Sequence, residues 1–453
     1  MKKLGQGMVA AAMVVTMLTG CGSTGNQTTN KAVDSTPSAG TAGTTAAPAK
    51  AKLSGKLEIQ YFVGGYGDKW WKKAISDFKE ANPGLEIVEQ AGPSVNTEMK
   101  TRWISNSPPD LVYIAGAGSS EAQMVADDQL MDLTEWSKTL KLEDGSPLLS
   151  NLFVQPSVYE GKNYSLPLVF DAWGTWYDRK WLKDNNFKVP TDFTSWMDSM
   201  KEIKAKSGIA PLVTDGMHPY PLRGLFMPGA AAEGGAAFIA DLVDAKPGAW
   251  QSEAALKVAK KIEQMQKAGL IDPGFAALNH TQSQMNFLLH KNAFIPVGFW
   301  LPFEMQKDVP QGFDFGFSPT PLQDAGKPLS IVPQPAPVAI AKKAKNPEAA
   351  KSFLDFVFKR KYAELSLELQ GAMMSVKGVD VSKNEKIPAY LKEVNVLVND
   401  KSKVTFSTLP HPMHADLEKP IFNELVSLMV GKISAEEFVK RADKAAADFK
   451  KNQ

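Results

Sequence analysis

Residues 57–87 read LEIQYFVGGYGDKWWKKAISDFKEANPGLEI, and this stretch decides the fold. Leu57, Ile59, Tyr61 and Val63 alternate with Glu58 and Gln60, the period-two pattern of a strand. Gly64, Gly65 and Gly67 break that pattern. Trp71, Ala74, Ile75 and Phe78 then fall at helical spacing, and Asn82-Pro83-Gly84 stops the helix. Leu85 to Val88 reads as a second strand. Strand, glycine turn, helix, strand is the opening of a doubly wound α/β lobe with buried parallel strands.

The pattern continues outward. Met99 to Ile104 reads as a short helix, and Asp110 leads into an apolar strand from Leu111 to Ala115. Ser252 is placed to cap a helix whose Ala255, Val258, Ala259, Ile262 and Met265 share a face before Gly269 ends it. Asn346-Pro347 opens another, with Ala350, Phe353, Leu354 and Val357 on one stripe. No internal repeat is visible.

The N-terminus has a different character. Cys21 is the single cysteine of 453 residues. Lys2 and Lys3, an apolar run from Met8 to Leu18, and the small-residue sequence Leu18-Thr19-Gly20-Cys21 resemble a bacterial lipoprotein signal. The run is shorter than the roughly 20 residues that span a bilayer. Residues 1–20 are therefore expected to be a signal peptide, and Cys21 to carry palmitate-type acyl chains. From Gly22 to Lys52 the chain is nearly all Ser, Thr, Gly, Ala, Asn and Pro, too polar to fold alone. As a coil it reaches on the order of 30 Å. Lone-thiol packing in an N-terminal helix is the alternative. The net charge of +2 falls to about zero once Lys2 and Lys3 are removed, which argues against a nucleic-acid partner.

Six segments, in order, resemble the extracellular solute-binding proteins of carbohydrate ABC importers, the family that includes maltose-binding protein. They are WWKKAISDFKEANPGLEI (70–87), SPPDLVYI (107–114), YEGKNYSLPLVFDAWGTWYDRKWLKDNNFKVPTDFTSWMDSMKEIK (159–204), KNAFIPVGFWLPFEM (291–305), KKAKNPEAAKSFLDFVF (342–358) and GKISAEEFVKRADKAAADF (431–449). One departure is His290-Lys291, where the family commonly has Gly-Lys. The stretches at 207–222 and 274–305 look like the N-acetylglucosamine- or chitobiose-binding branch. The resemblance implies a two-lobed, type II periplasmic-binding-protein-like clamshell with the ligand between lobes. Lobe 1 would comprise 53–168 and 336–378; lobe 2 would comprise 169–335 and 379–453. It also implies a monomer that hands sugar to ABC permease subunits, with no cofactor or metal. The lipidated Cys21 and its tether argue for the outer face of a Gram-positive-type cell membrane, where an untethered binder would diffuse away. In the same family pattern, Tyr177-Asp178 would open a helix, with Trp176 and Tyr177 packed along it.

Sugars present apolar C–H faces to aromatic rings and polar hydroxyl edges to carboxylates, amides and guanidinium groups. By resemblance Trp300, after Gly298, is the stacking candidate; a core tryptophan is the alternative. Asp171 and Trp173 follow Leu166-Pro167, where the chain should first cross between lobes, and apolar neighbours make Asp171 conspicuous as a hydroxyl acceptor. Tyr66, Asp68 and Trp70 fill the glycine turn after the first strand, a position that faces the cleft in open α/β sheets. The loop from Ala115 to Ser119 ends another strand and is not a dinucleotide fingerprint. His218, Tyr220 and Arg223 lie in a proline-rich loop, Gln334 sits near the return crossing, and Glu304 lies four residues after Trp300. His411, with His414 and Asp416, belongs to a late loop that reads as cleft lining rather than a metal site.

Two other functions stay open at this point. A tethered glycosidase needs two carboxylates roughly 5–9.5 Å apart, and Asp171 with Glu304 would be that pair. A sensor or adhesin would use the same clamshell without transport. No nucleophile elbow, His-Glu-x-x-His or phosphate loop is present.

Overall fold

A computed structural model describes residues 52–452. The expected signal peptide, Cys21 and nearly all of the tether lie outside these residues. Among the described residues, no helix is long and apolar enough to cross a membrane.

Eleven strands are present among them: β1 (Gly55–Phe62), β2 (Leu85–Gly92), β3 (Leu111–Tyr113), β4 (Ser165–Ala172), β5 (Gly174–Asp178), β6 (Ile295–Val297), β7 (Phe315–Pro319), β8 (Leu329–Ile331), β9 (Pro333–Ile340), β10 (Met373–Met374) and β11 (Val404–Phe406). Six of them form a sheet in the order β10-β4-β9-β3-β1-β2. β1 runs parallel to both β2 and β3, as the opening stretch predicts, while β9 is antiparallel to β3 and β4. A second sheet has the order β6-β5-β7, and β11 pairs with β8. The fold is thus a two-lobed α/β clamshell.

The alternation in β1 explains how its sheet is covered. Leu57, Ile59 and Tyr61 are at most 1 % exposed and pack on Trp71, Ala74 and Phe78 of the helix Lys69–Ala81. The polar side is covered as well, by the helix Val95–Ile104. Gln60 donates to Asn96 at 3.1 Å and accepts from Trp103 Nε1 at 2.8 Å, and Arg102 reaches Glu58 at 2.6 Å. Buried polar groups are affordable when each finds a partner, as these do. The expected caps also form: Ser252 accepts from Ala255 N, and Asn346 from Ala349 N.

One expectation is corrected. Trp176 and Tyr177 lie on β5 rather than on a helix. The helix Arg179–Asp184 starts only after Asp178, whose carboxylate accepts from the backbone of Lys180 and Trp181. The Tyr-Asp pair therefore ends a strand and caps a helix. Trp176 is fully buried among Phe315, Phe317 and Tyr390.

Two passages between the sheets are one residue long. Trp173 alone separates β4 from β5, and Val332 alone separates β8 from β9. The β4–β9 ladder runs up to these points, ending at Ala172↔Pro333, with an irregularity between Pro167 and Val169. The site sits at this end of the ladder.

Candidate functional site

Two adjoining cavities open where the chain passes between the sheets. The inner one encloses about 430 Å³ and the outer one about 590 Å³. They share Ala115, Gly116, Asp171, Tyr220, Trp300 and Ala336. Both volumes fall within the range of small-molecule sites.

The floor comes from the ends of β4 and β9. Asp171 pairs across the ladder with Gln334. The Tyr66 hydroxyl, on the glycine turn after β1, donates to Asp171. Burial pushes the Asp171 carboxyl up to about 7, against the Tyr66 bond and the Arg223 charge, which pull it down. The residue as a whole is only partly buried, at the mouth of the cleft.

One wall of the site is aromatic. Trp173, 2 % exposed, stands edge-on to Trp300 at 5.0 Å and to Tyr220 at 4.8 Å. Trp300 is partly exposed, and the indole folds back over Gly298. A Cβ on Gly298 would lie 2.0 Å from that ring, so only glycine admits this position. The short helix Leu301–Glu304 then carries Glu304 into the inner cavity. A Cβ on Gly65 would lie 3.2 Å from both Trp300 Cβ and Glu304 Cδ, so the turn after β1 closely approaches this helix.

Glu304 is held by a chain of bonds. His280 Nε2 lies 2.6 Å from Glu304 Oε2, His280 Nδ1 lies 2.9 Å from the Tyr220 hydroxyl, and Gln284 donates to the same Glu304 oxygen at 3.0 Å. Burial raises the Glu304 pKa, but these bonds outweigh it and hold the carboxyl below its usual range. Arg223 makes a two-pronged pair with Glu418 at 2.6 and 2.7 Å, which keeps the guanidinium charged despite its burial.

The structure gathers most of the sequence-derived candidates. Trp300, Asp171 and Tyr220 line both cavities; Tyr66, Trp70 and Glu304 line the inner one; Trp173, Arg223, Gln334 and His411 line the outer one. Trp70 is 1 % exposed and spends its N–H on the Tyr362 carbonyl. Asp68 pairs with Lys72, and His218 with Asp215; neither borders either cavity. His411 contacts Asp244 at 2.8 Å, and His414 caps the helix Ala415–Met429 through Nδ1.

Several lining residues were missed. His280 has a legible signal, because Asn279 and Gln282 form a capping box that fixes the first turn on which it stands. Glu121 and Tyr159, in the wall of the outer cavity, have none: a lone acid after two serines and a tyrosine in a turn carry no pattern.

The model of the family described as bacterial extracellular solute-binding protein matches residues 64–364. A multiple sugar-binding protein of Streptococcus mutans is 26 % identical over 352 residues, covering 74 % of this chain and 79 % of its own. The diacetylchitobiose binding protein NgcE of Streptomyces coelicolor is 24 % identical over 338 residues, covering 73 % of this chain and 72 % of its own. A solved chitin oligosaccharide binding protein superposes with a TM-score of 0.68 at 17 % identity, covering 87 % of this chain and 98 % of that one, a likeness of fold.

Proposed function

The chain belongs to the bacterial extracellular solute-binding protein family, and from that premise we propose that it captures a sugar or oligosaccharide and delivers it to an ABC permease. The observation that carries the reading is the two-sided cleft. Trp300 and Tyr220, backed by the buried Trp173, offer apolar surface beside Asp171, Glu304, Gln334 and Arg223, which offer hydroxyl acceptors and donors. Sugar rings have the complementary faces and edges. Relatives named for multiple sugars and for diacetylchitobiose support a carbohydrate, with N-acetylglucosamine or chitobiose as the first to try.

Capture would close the lobes about the one-residue passages at Trp173 and Val332, in the manner of hinged binding proteins. Ligand must favour the closed form for closure to follow binding. Acyl chains on Cys21 would keep the protein at the outer face of the membrane, within reach of the permease. In this reading the protein is not an enzyme.

The test is a thermal-shift panel on the whole chain with N-acetylglucosamine, chitobiose and xylo-, malto- and cello-oligosaccharides. A ligand at a hundred times its Kd adds about 2.7 kcal/mol of apparent stability. A specific rise with one series is the expected result; no rise across the panel contradicts the assignment.

One observation favours a second reading, a tethered glycosidase. Asp171 and Glu304 line the same cavity with pKa values pushed in opposite directions, the signature of an acid paired with an ionised partner. Release of shorter sugars from a bound oligosaccharide would establish it, and intact recovery would contradict it.

A further inference from the structure

The inner cavity has a charge pattern that sugar capture alone does not require. It holds two carboxylates, Asp171 and Glu304, and among the described residues that line it none is lysine or arginine. Much of the remaining lining is aromatic, including Phe62, Tyr66, Tyr113, Tyr220 and Trp300. The two acids come from different elements, β4 and the short helix Leu301–Glu304. Two phenols link them. The Tyr66 hydroxyl donates to Asp171 and also feels the Glu304 charge, and Tyr220 feels both acids.

The neighbouring charges already have partners. Glu304 has His280 at 2.6 Å and the Gln284 amide at 3.0 Å. Arg223, whose charge reaches Asp171, is committed to Glu418 by two bonds. Among the described residues no cation pairs directly with Asp171, which has the neutral Tyr66 hydroxyl. The groups that face it are Tyr66 on the glycine turn, Tyr113 at the end of β3, and Tyr220 and Arg223 on either side of Pro221. Burial accordingly pushes its carboxyl up to about 7. A neutral sugar covering such an acid strips its water and supplies no charge in return. An ammonium group supplies that charge, three hydrogen-bond donors and attraction to aromatic faces. An N-acetyl group leaves one N–H and adds a carbonyl, an acceptor that carboxylates cannot serve.

We propose that the inner cavity selects a cationic amino sugar, whose ammonium group is held by Asp171 and Glu304 within the aromatic lining. This rests on the sugar-capture reading and names the substrate class within it. The ammonium ion favours ionised Asp171, so its arrival expels to solvent the proton that Asp171 holds in the free protein. The sign follows. Below pH 7 the free carboxyl is mostly protonated and must give up that proton to pair with the ammonium. Affinity for the amino sugar therefore rises as the pH climbs from 5 to 7, and a neutral sugar shows no such gain.

The test is calorimetric titration of the whole chain with glucosamine and its β-1,4-linked disaccharide, their N-acetyl counterparts, glucose and cellobiose. Titrations are run at pH 5 and pH 7, and at pH 6 in two buffers of different ionisation enthalpy, which counts the protons released. At pH 7 an amino sugar should bind at least about tenfold more tightly than its N-acetyl and hydroxyl counterparts. Its affinity should gain about tenfold from pH 5 to pH 7, with release of roughly half a proton or more per sugar at pH 6. Asp171→Asn keeps an acceptor for Tyr66 but no charge. It should lower amino-sugar affinity about tenfold more than N-acetyl-sugar affinity and abolish the proton release. The proton count of wild type decides the matter even where that variant does not fold.

Preference for the N-acetyl or hydroxyl sugars, amino-sugar binding without proton release, or equal loss of both classes in folded Asp171→Asn would overturn the proposal and leave sugar capture standing. A wild type that binds none of the six would overturn both.

Discussion

Asp171 shows what one residue can and cannot reveal in a sequence. Its place among apolar residues after Leu166-Pro167 makes it legible as a cleft acid. Its partner Tyr66 is 105 positions away, and no local pattern links them. The raised pKa has a consequence for stability. The folded protein keeps the Asp171 proton up to about pH 7, whereas an unfolded chain releases it near pH 4. Between those values the native state binds more protons, so the stability this group contributes is present below about pH 4 and lost as the pH rises to 7. Asp171→Asn should flatten that decline, by on the order of 1–2 kcal/mol once solvent in the cleft is allowed for. Melting temperatures from pH 4 to 8 read this directly, and an unchanged slope in the variant would contradict it.

At the scale of elements, periodicity and caps were the readable features. The β1 alternation, the helix after it and the Ser252 and Asn346 caps all appear where their residues place them. The Tyr177-Asp178 pair misled because a helix-capping aspartate that also ends a strand looks, in one dimension, like helix on both sides. His280 went unseen although its capping box was written in the sequence, because a cap says where a side chain starts and not what it meets. Asn279→Ala should cost about 1 kcal/mol of stability through the lost cap. It should also weaken sugar binding, by loosening the His280 hold on Glu304 and Tyr220. Urea unfolding and calorimetry separate the two effects; full affinity in a destabilised variant would show that the cap does not serve the site. Gly298→Ala is sharper still. Its backbone conformation suits alanine, but the new methyl must displace the Trp300 ring. Sugar affinity should fall at least tenfold with the fold retained, and a circular dichroism spectrum like that of wild type with unchanged affinity would count against the placement of Trp300.

At the scale of the whole molecule, the doubly wound opening and the order of the segments were enough to read a two-lobed α/β clamshell. The pairing of β4 with β9 was not legible, because strands more than 150 positions apart are brought together only by the closed core of the sheet. The same long-range pairing gathers Asp171, Gln334 and Trp173 at one end of the ladder, where the chain twice passes between sheets through a single residue. A cleft at such a junction is where reversible capture and hinge closure can be coupled.

Calorimetric titration of the whole chain and of Trp300→Ala with the sugar series of the thermal panel tests this account most directly, provided the recovered sugar is checked by chromatography. The account predicts saturable binding of at least one oligosaccharide to wild type, its loss in folded Trp300→Ala, and recovery of the sugar intact. Binding that survives the substitution, no binding by any series, or shortened sugar after incubation would contradict it.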